Sequence, residues 1–182
     1  MKEKNPWKTL NSKHIYQNEW IDVREDQVIN PAGNEGIYGV VSFKNLAIGI
    51  LPIDHELNTY LVGQYRYPLD IYSWEIPMGG GLKNDTPLES AKRELEEETG
   101  LTAKKWNKIM KIHTSNSVTD EEGYIFIASD LTQGKAMPEE TEELKVKKVP
   151  LAEAYQMVMN YEITDAISIA GILKAAILYK LV

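Results

Sequence analysis

The chain has 182 residues, 43% of them hydrophobic, and its 20 basic and 27 acidic side chains give a net charge of −7. It is long enough to bury a core without staples, its acidic balance argues against a nucleic-acid partner, and the absence of cysteine excludes disulfides, thiolate metal sites and a thiol nucleophile. No apolar stretch has the length of a signal peptide or membrane span, so a cytoplasmic protein with no membrane partner is expected.

Alternation of Ile21, Val23 and Val28 with Asp22, Arg24 and Asp26 predicts two short strands over 15–29, broken near Asn18 and Glu19. A turn follows over 30–36, where Asn30, Pro31, Gly33 and Gly36 fall close together. Residues 39–43 and 46–53 are β-rich, with Lys44 and Asn45 between them as a hairpin turn, and 60–66 reads as a further strand. Gly79, Gly80 and Gly81 then read as a loop, since glycine permits φ > 0 and close backbone approach. Asp85 or Thr86 can cap the helix that follows, Pro87 suits its first turn, and Leu88, Ala91 and Leu95 form its apolar stripe. Strands are expected at 105–113, 124–128 and 143–149, and helices at 151–160 and 165–178. Mixed strands around a central helix, with helices closing the chain, define an α/β class and a layered sandwich.

The chemistry lies in the central helix. Glu94, Glu97 and Glu98 stand at i, i+3 and i+4 and share one face. Like charges that close repel, and a hard divalent cation such as Mg²⁺ or Mn²⁺ converts the repulsion into ligation, completing its shell with water and substrate phosphates. An isolated acidic run would read as a solvated helix face. A glycine segment leading into a capped helix instead forms a loop–helix cation site able to hold a metal-bound diphosphate.

The segment from Gly79 to Leu101 resembles the Nudix box. Gly79, Arg93, Glu94, Leu95, Glu97, Glu98, Gly100 and Leu101 fall at the spacing of that motif, and the one departure is Asp85 where the box has glutamate. Upstream, Trp74-Glu75-Ile76-Pro77-Met78-Gly79-Gly80 and Gln64-Tyr65-Arg66 resemble runs of the ADP-ribose and nucleoside diphosphate sugar pyrophosphatase branch. The resemblance implies a Nudix-type α/β/α sandwich with a mixed sheet. It adds a small N-terminal antiparallel sheet over 1–36 that builds a homodimer, ahead of a hydrolase domain over 37–182.

The resemblance also implies the site. Glu94, Glu98, Glu97 and the Met78 carbonyl would ligate Mg²⁺, with Mn²⁺ able to replace it, and Arg93 would orient the box. Arg66 would contact the diphosphate, and Glu75 would bind the sugar or serve as an ion-pair partner. A base-stacking aromatic is sought in Trp20, with Tyr16 and Tyr38 as alternatives. Glu121, with Glu122 second, is the expected general base, in a mobile loop ahead of a strand. The implied reaction is cleavage of a small-molecule nucleotide sugar, of ADP-ribose or GDP-mannose type, to a nucleoside monophosphate and a sugar phosphate. Ser115-Asn116-Ser117 stands where strict ADP-ribose enzymes carry a proline, which points to relaxed specificity. Hydrolysis of nucleoside triphosphates or dinucleoside polyphosphates is the alternative, and a non-catalytic sugar-nucleotide regulator the third. His14, His55 and His113 share no ligand-like spacing and read as structural or surface residues.

Overall fold

The computed structural model describes residues 3–82, 84–136 and 144–182. The chain forms two compact units, 1–45 with 113–121, and 46–112 with 122–182.

In the first unit, β1 (Lys8–Gln17), β2 (Ile21–Ile29) and β3 (Glu35–Phe43) form an antiparallel sheet with β2 in the middle. Its turns are set by asparagine side chains mimicking backbone acceptors. Asn18 Oδ1 accepts from the amides of Trp20 and Ile21, both at 2.8 Å, and Asn30 Oδ1 from those of Ala32 and Asn34, both at 3.0 Å. Gly33, at φ +88°, closes the second turn in a conformation that penalises any Cβ. β3 begins two residues before Ile37, so the sequence-based division at 36/37 would cut a paired strand; the unit runs on to Asn45. The returning segment 113–121 is pinned to β3. The Val41 amide donates to Val118 O at 2.9 Å, Asp120 Oδ1 accepts from the Phe43 amide at 3.1 Å, and the Tyr38 hydroxyl donates to Ser117 O at 2.6 Å. The expected mobile loop is therefore hydrogen-bonded to a strand edge.

The second unit contains a four-stranded sheet ordered β7 (Met78–Leu82), β4 (Asn45–Pro52), β9 (Glu122–Gln133), β8 (Leu101–His113). A three-stranded antiparallel sheet is ordered β10 (Lys145–Pro150), β5 (Asn58–Arg66), β6 (Ile71–Glu75). β4 and β9 run parallel, Ala47 opposite Gly123 through Pro52 opposite Ala128. The predicted hairpin at Lys44-Asn45 does not form, because β3 takes β2 as its partner while β4 is placed between β7 and β9. β6 was not read from the sequence, and the glycine segment read as a loop is strand β7. The start of the last predicted strand, Glu143, lies outside the described residues.

Strand alternation sorts this unit's core into two layers. Ile48, Ile50 and Phe126 face α1 (Pro87–Thr99), packing with Ala91, Leu95 and Leu101. Leu51, Ile125 and Ile127 face the other way, onto a cluster that includes Met157 and Val158 of α2 (Leu151–Met159) and Ile167 and Ile172 of α3 (Ala166–Leu178). Burying each such aliphatic side chain contributes about 1.5–3 kcal/mol. Among the described residues no helix is long and apolar enough to cross a membrane.

Asp54 ties the β4–β5 connection to β10. Its Oδ1 accepts from the amides of Glu56 at 2.9 Å and Asn58 at 2.8 Å, and Lys148 Nζ lies 2.7 Å from Oδ2. Burial opposes the charge, but the hydrogen bonds of Lys148, Asn58 and Glu56 prevail and lower its pKa from 3.8 to about 2. A depressed carboxyl contributes stability that is complete above its unfolded pKa and is lost as pH falls through the folded one. Asp54→Asn should therefore lower the Tm at neutral pH and flatten the loss of stability between about pH 4 and pH 2, measured by acid titration of thermal melts.

Candidate active site

The site is built where β7 meets α1. Thr86 begins the helix with extended backbone and accepts from the Glu89 amide at 3.3 Å, while the Thr86 hydroxyl donates to the Glu89 carboxylate. Pro87 occupies the first turn, and Gly100 ends the helix at φ +70°, its amide donating to Glu96 O at 2.8 Å. Of the two residues that could cap, Thr86 does so.

None of the β7 glycines has a positive φ; among the described glycines only Gly33 and Gly100 do. Two of the three serve proximity instead. A Cβ on Gly79 would lie 2.1 Å from Glu94 Oε2, and one on Gly81 would lie 2.9 Å from Ile48 Cγ1 and 3.1 Å from Ser90 Oγ. The helix thus rests on bare backbone, and its carboxylates reach the strand.

Glu94 and Glu98 are 9% and 2% exposed, while Glu97 is half-buried and Glu96 exposed. Glu98 turns inward, its Oε2 accepting from the Met78 amide at 2.9 Å. Arg93 bridges the other two carboxylates. Its Nη2 donates to Glu94 Oε1 at 2.6 Å and to Gly80 O at 2.9 Å, and its Nη1 to Glu97 Oε2 at 2.6 Å. Burial works against the guanidinium charge, but Glu94 and Glu97 outweigh it and raise its pKa. Among the described residues no three His, Asp or Glu side chains form a ready-made cage. Hard divalent cations are held by one or two carboxylates together with waters and phosphate oxygens, and Glu94, Glu97 and Glu98 share one face of α1. The donors are all oxygen, and the backbone cradle at Gly79 leaves no room for a competing side chain. The residues present fit a hard divalent cation.

Next to this cluster in the chain, Arg66 and Glu75 form a forked ion pair. Arg66 Nε lies 2.9 Å from Oε1 and 3.2 Å from Oε2 of Glu75, and Nη2 also contacts Oε2. The Glu75 side chain is 3% exposed and that of Arg66 36% exposed, so the fork joins a buried carboxylate to a partly exposed arginine. Glu75 chiefly raises the Arg66 pKa against the effect of burial, and Asp165 and Glu98 add to it. The segment carrying Glu75 is fastened from α3, where Ser168 Oγ accepts from the Ile76 amide at 3.0 Å and Asp165 caps the helix through the Ser168 amide at 2.7 Å. The sequence reading placed Asp165 at a helix start and did not name Ser168. Asp165 is legible as a helix cap, but its neighbour's contact with Ile76 spans 92 positions and leaves no local signal.

The remaining sequence candidates are distributed over both units. Glu122, opening β9, takes Lys111 Nζ at 2.6 Å and the Tyr124 hydroxyl. Glu121 belongs to the first unit and accepts from the Thr114 hydroxyl. Trp20, also in that unit, is 63% exposed and Tyr16 53% exposed. Tyr38 is engaged by Ser117 and by an edge contact with Trp7, ring centroids 5.2 Å apart.

A helix of clustered carboxylates resting on a glycine strand, inside a mixed-sheet sandwich, is the architecture of a metal-assisted phosphohydrolase. Residues 44–168 match the NUDIX domain, and the chain belongs to the Nudix hydrolase family. Residues 7–41 match the nucleoside diphosphate sugar hydrolase N-terminal domain. The chain is 35% identical over 161 residues to an ADP-ribose pyrophosphatase of Bacillus subtilis, covering 87% of this chain and 86% of that protein. It is 31% identical over 171 residues to an ADP-ribose pyrophosphatase of Mycobacterium tuberculosis, covering 92% and 82%. Among solved structures, an ADP compounds hydrolase shares the fold with a TM-score of 0.87 at 20% identity, over 99% of this chain and 97% of the other.

Gly79→Ala places a methyl group where the Glu94 carboxylate sits. The displaced carboxylate should cost roughly 100-fold in hydrolase kcat, while the Tm changes little because the obstructed atoms end a flexible side chain. Parallel kinetics and thermal melts check both halves.

Proposed function

We propose that this Nudix hydrolase cleaves the diphosphate of nucleoside diphosphate sugars, with ADP-ribose the leading substrate and GDP-mannose the next. The products are a nucleoside monophosphate and a sugar phosphate. The observation that carries the reading is the inward-turned pair Glu94 and Glu98 against β7 beside the Arg66–Glu75 fork. The match of residues 7–41 and the names of the two bacterial relatives support the same substrate class.

Glu94, Glu98 and the Met78 carbonyl would hold Mg²⁺, with Glu97 at the rim and Mn²⁺ able to substitute. Bound there, the cation would polarise phosphoryl oxygens and acidify water. Arg93 donates to both Glu94 and Glu97 and offsets their charge. Arg66 spends Nε and Nη2 on Glu75, which leaves Nη1 directed by the fork to donate to a diphosphate oxygen. Glu121 is the better base of the adjacent pair. Its carboxylate is contacted by a neutral hydroxyl, whereas Glu122 is already engaged by the Lys111 ammonium and the Tyr124 hydroxyl. Trp20 offers an exposed indole face for the nucleobase.

The N-terminal sheet supports a homodimer. All ten residues of the edge strand β1 are exposed, including Leu10 and Ile15 at 50% each. An exposed edge strand of this length, carrying Leu10, Ile15 and Tyr16 among polar residues, is a pairing surface.

Hydrolysis of a panel of ADP-ribose, GDP-mannose, diadenosine polyphosphates and nucleoside triphosphates, with Mg²⁺ and with chelator, tests the reaction. Metal-dependent cleavage of the diphosphate sugars is expected, reduced on the order of 100-fold or more in Glu98→Gln. Activity confined to triphosphates would replace the substrate class. The assembly is checked by light scattering on a sizing column: wild type should run at twice the chain mass, and a Leu10→Lys/Ile15→Lys variant as a monomer.

A further inference from the structure

The segment that carries Glu121 is closed on itself by hydrogen bonds, all of them within the first unit. Ser115 O accepts from the amides of Val118 at 3.1 Å and Thr119 at 2.9 Å, and from the Thr119 hydroxyl at 3.3 Å, which makes a single tight turn. The Glu121 amide donates back to Thr119 Oγ1 at 3.4 Å, and His113 Nδ1 lies 3.2 Å from Glu121 O. The outer side of the turn follows β3, where Thr119 pairs in parallel with Val41 and the Asp120 amide donates to Val41 O at 3.3 Å. Both ends of the segment and its middle are therefore fixed.

Thr114 uses that frame. It stands one residue past His113, and its hydroxyl donates to Oε2 of Glu121. Both residues are half-buried, so water has limited access to the bond. Among the described residues Oε1 of Glu121 has no hydrogen-bond partner, which leaves that oxygen able to accept a proton. A glutamate side chain on a solvated loop samples many rotamers, whereas a base must present one oxygen within hydrogen-bonding reach of the proton it takes. A neutral donor on the other oxygen selects one orientation without setting a positive charge beside the carboxylate. The neighbouring Glu122 is held differently, by the Lys111 ammonium and the Tyr124 hydroxyl.

We propose that Thr114 is the positioning residue of the general base. Its hydroxyl holds one oxygen of Glu121 in place, so that the other is free to take the proton of the attacking water. The proposal rests on the reading of Glu121 as the base and adds the side chain that orients it. Thr114 acts on the reaction only through Glu121.

The test is steady-state hydrolysis of ADP-ribose by Thr114→Val, Thr114→Ser, Glu121→Gln and the double variant Thr114→Val/Glu121→Gln. Glu121→Gln should lower kcat about 100-fold, the low end of what a general base contributes. Valine keeps the β-branched shape of threonine and removes the donor. Thr114→Val should therefore lower kcat about tenfold with KM unchanged, and Thr114→Ser should stay within about twofold of wild type. In the Glu121→Gln background the valine should cost nothing further, because residues that act as a unit are not additive. An equal loss from valine in both backgrounds, a serine variant as slow as the valine one, or a loss confined to KM overturns the positioning role and leaves Glu121 as the base. An unchanged kcat in Thr114→Val beside an impaired Glu121→Gln does the same. A Glu121→Gln variant as fast as wild type overturns the base, and the role of Thr114 with it.

Discussion

The site depends on a strand that has no side chains where a helix must touch it. Gly79 and Gly81 of β7 let α1 lie so close that a methyl group at the first would sit 2.1 Å from Glu94 Oε2 and one at the second 3.1 Å from Ser90 Oγ. Backbone proximity of this kind delivers the Met78 amide to Glu98 and the Gly80 carbonyl to Arg93. The apolar side of the same helix anchors it, because Ala91 and Leu95 are wholly buried against Ile48 and Ile50. Packing therefore positions the carboxylates, which need no dedicated loop.

Burial of acidic groups in a chain already carrying −7 requires local compensation. Each buried carboxylate of the site has a defined donor: Glu75 the Arg66 fork, Glu98 the Met78 amide, and Glu94 the Arg93 guanidinium. Arg93 and Glu97 lie at the more exposed edge, where exchanging one cation for another costs least. The more buried pairs lie deeper, and the Arg93–Glu97 pair lies at the rim. α3 completes the scaffold from behind, through the Ser168 contact with Ile76 and through Gly171, where a Cβ would come within 3.2 Å of Ile125.

Much of this was legible from local rules. The helix over Pro87–Thr99, its threonine cap, its glycine stop and its acidic face follow from residue type and spacing, as do α2 and α3 to within a residue or two. Strand extents were underestimated at β1, β8 and β9, whose polar outer residues break the alternation that marks a strand. Two errors have a common cause. The β3–β4 hairpin and the glycine loop were inferred from local propensity, yet pairing with β2, β4 and β9 decided both. Arg66 and Glu75 could be singled out individually, but their fork depends on the antiparallel register of β5 and β6.

The sequence alone determined the family chemistry: carboxylates at i, i+3 and i+4 behind a glycine run, because helical periodicity converts spacing into a shared face. It also determined where the helix starts and stops, since caps are properties of a few adjacent residues. Only the tertiary structure decided which carboxylates turn inward, which one Arg93 draws outward, and that Ser168 fastens Ile76 from α3. Those outcomes rest on contacts between residues up to 92 positions apart, and no local pattern encodes the separation of two strands and a helix that meet only after the sheet has formed.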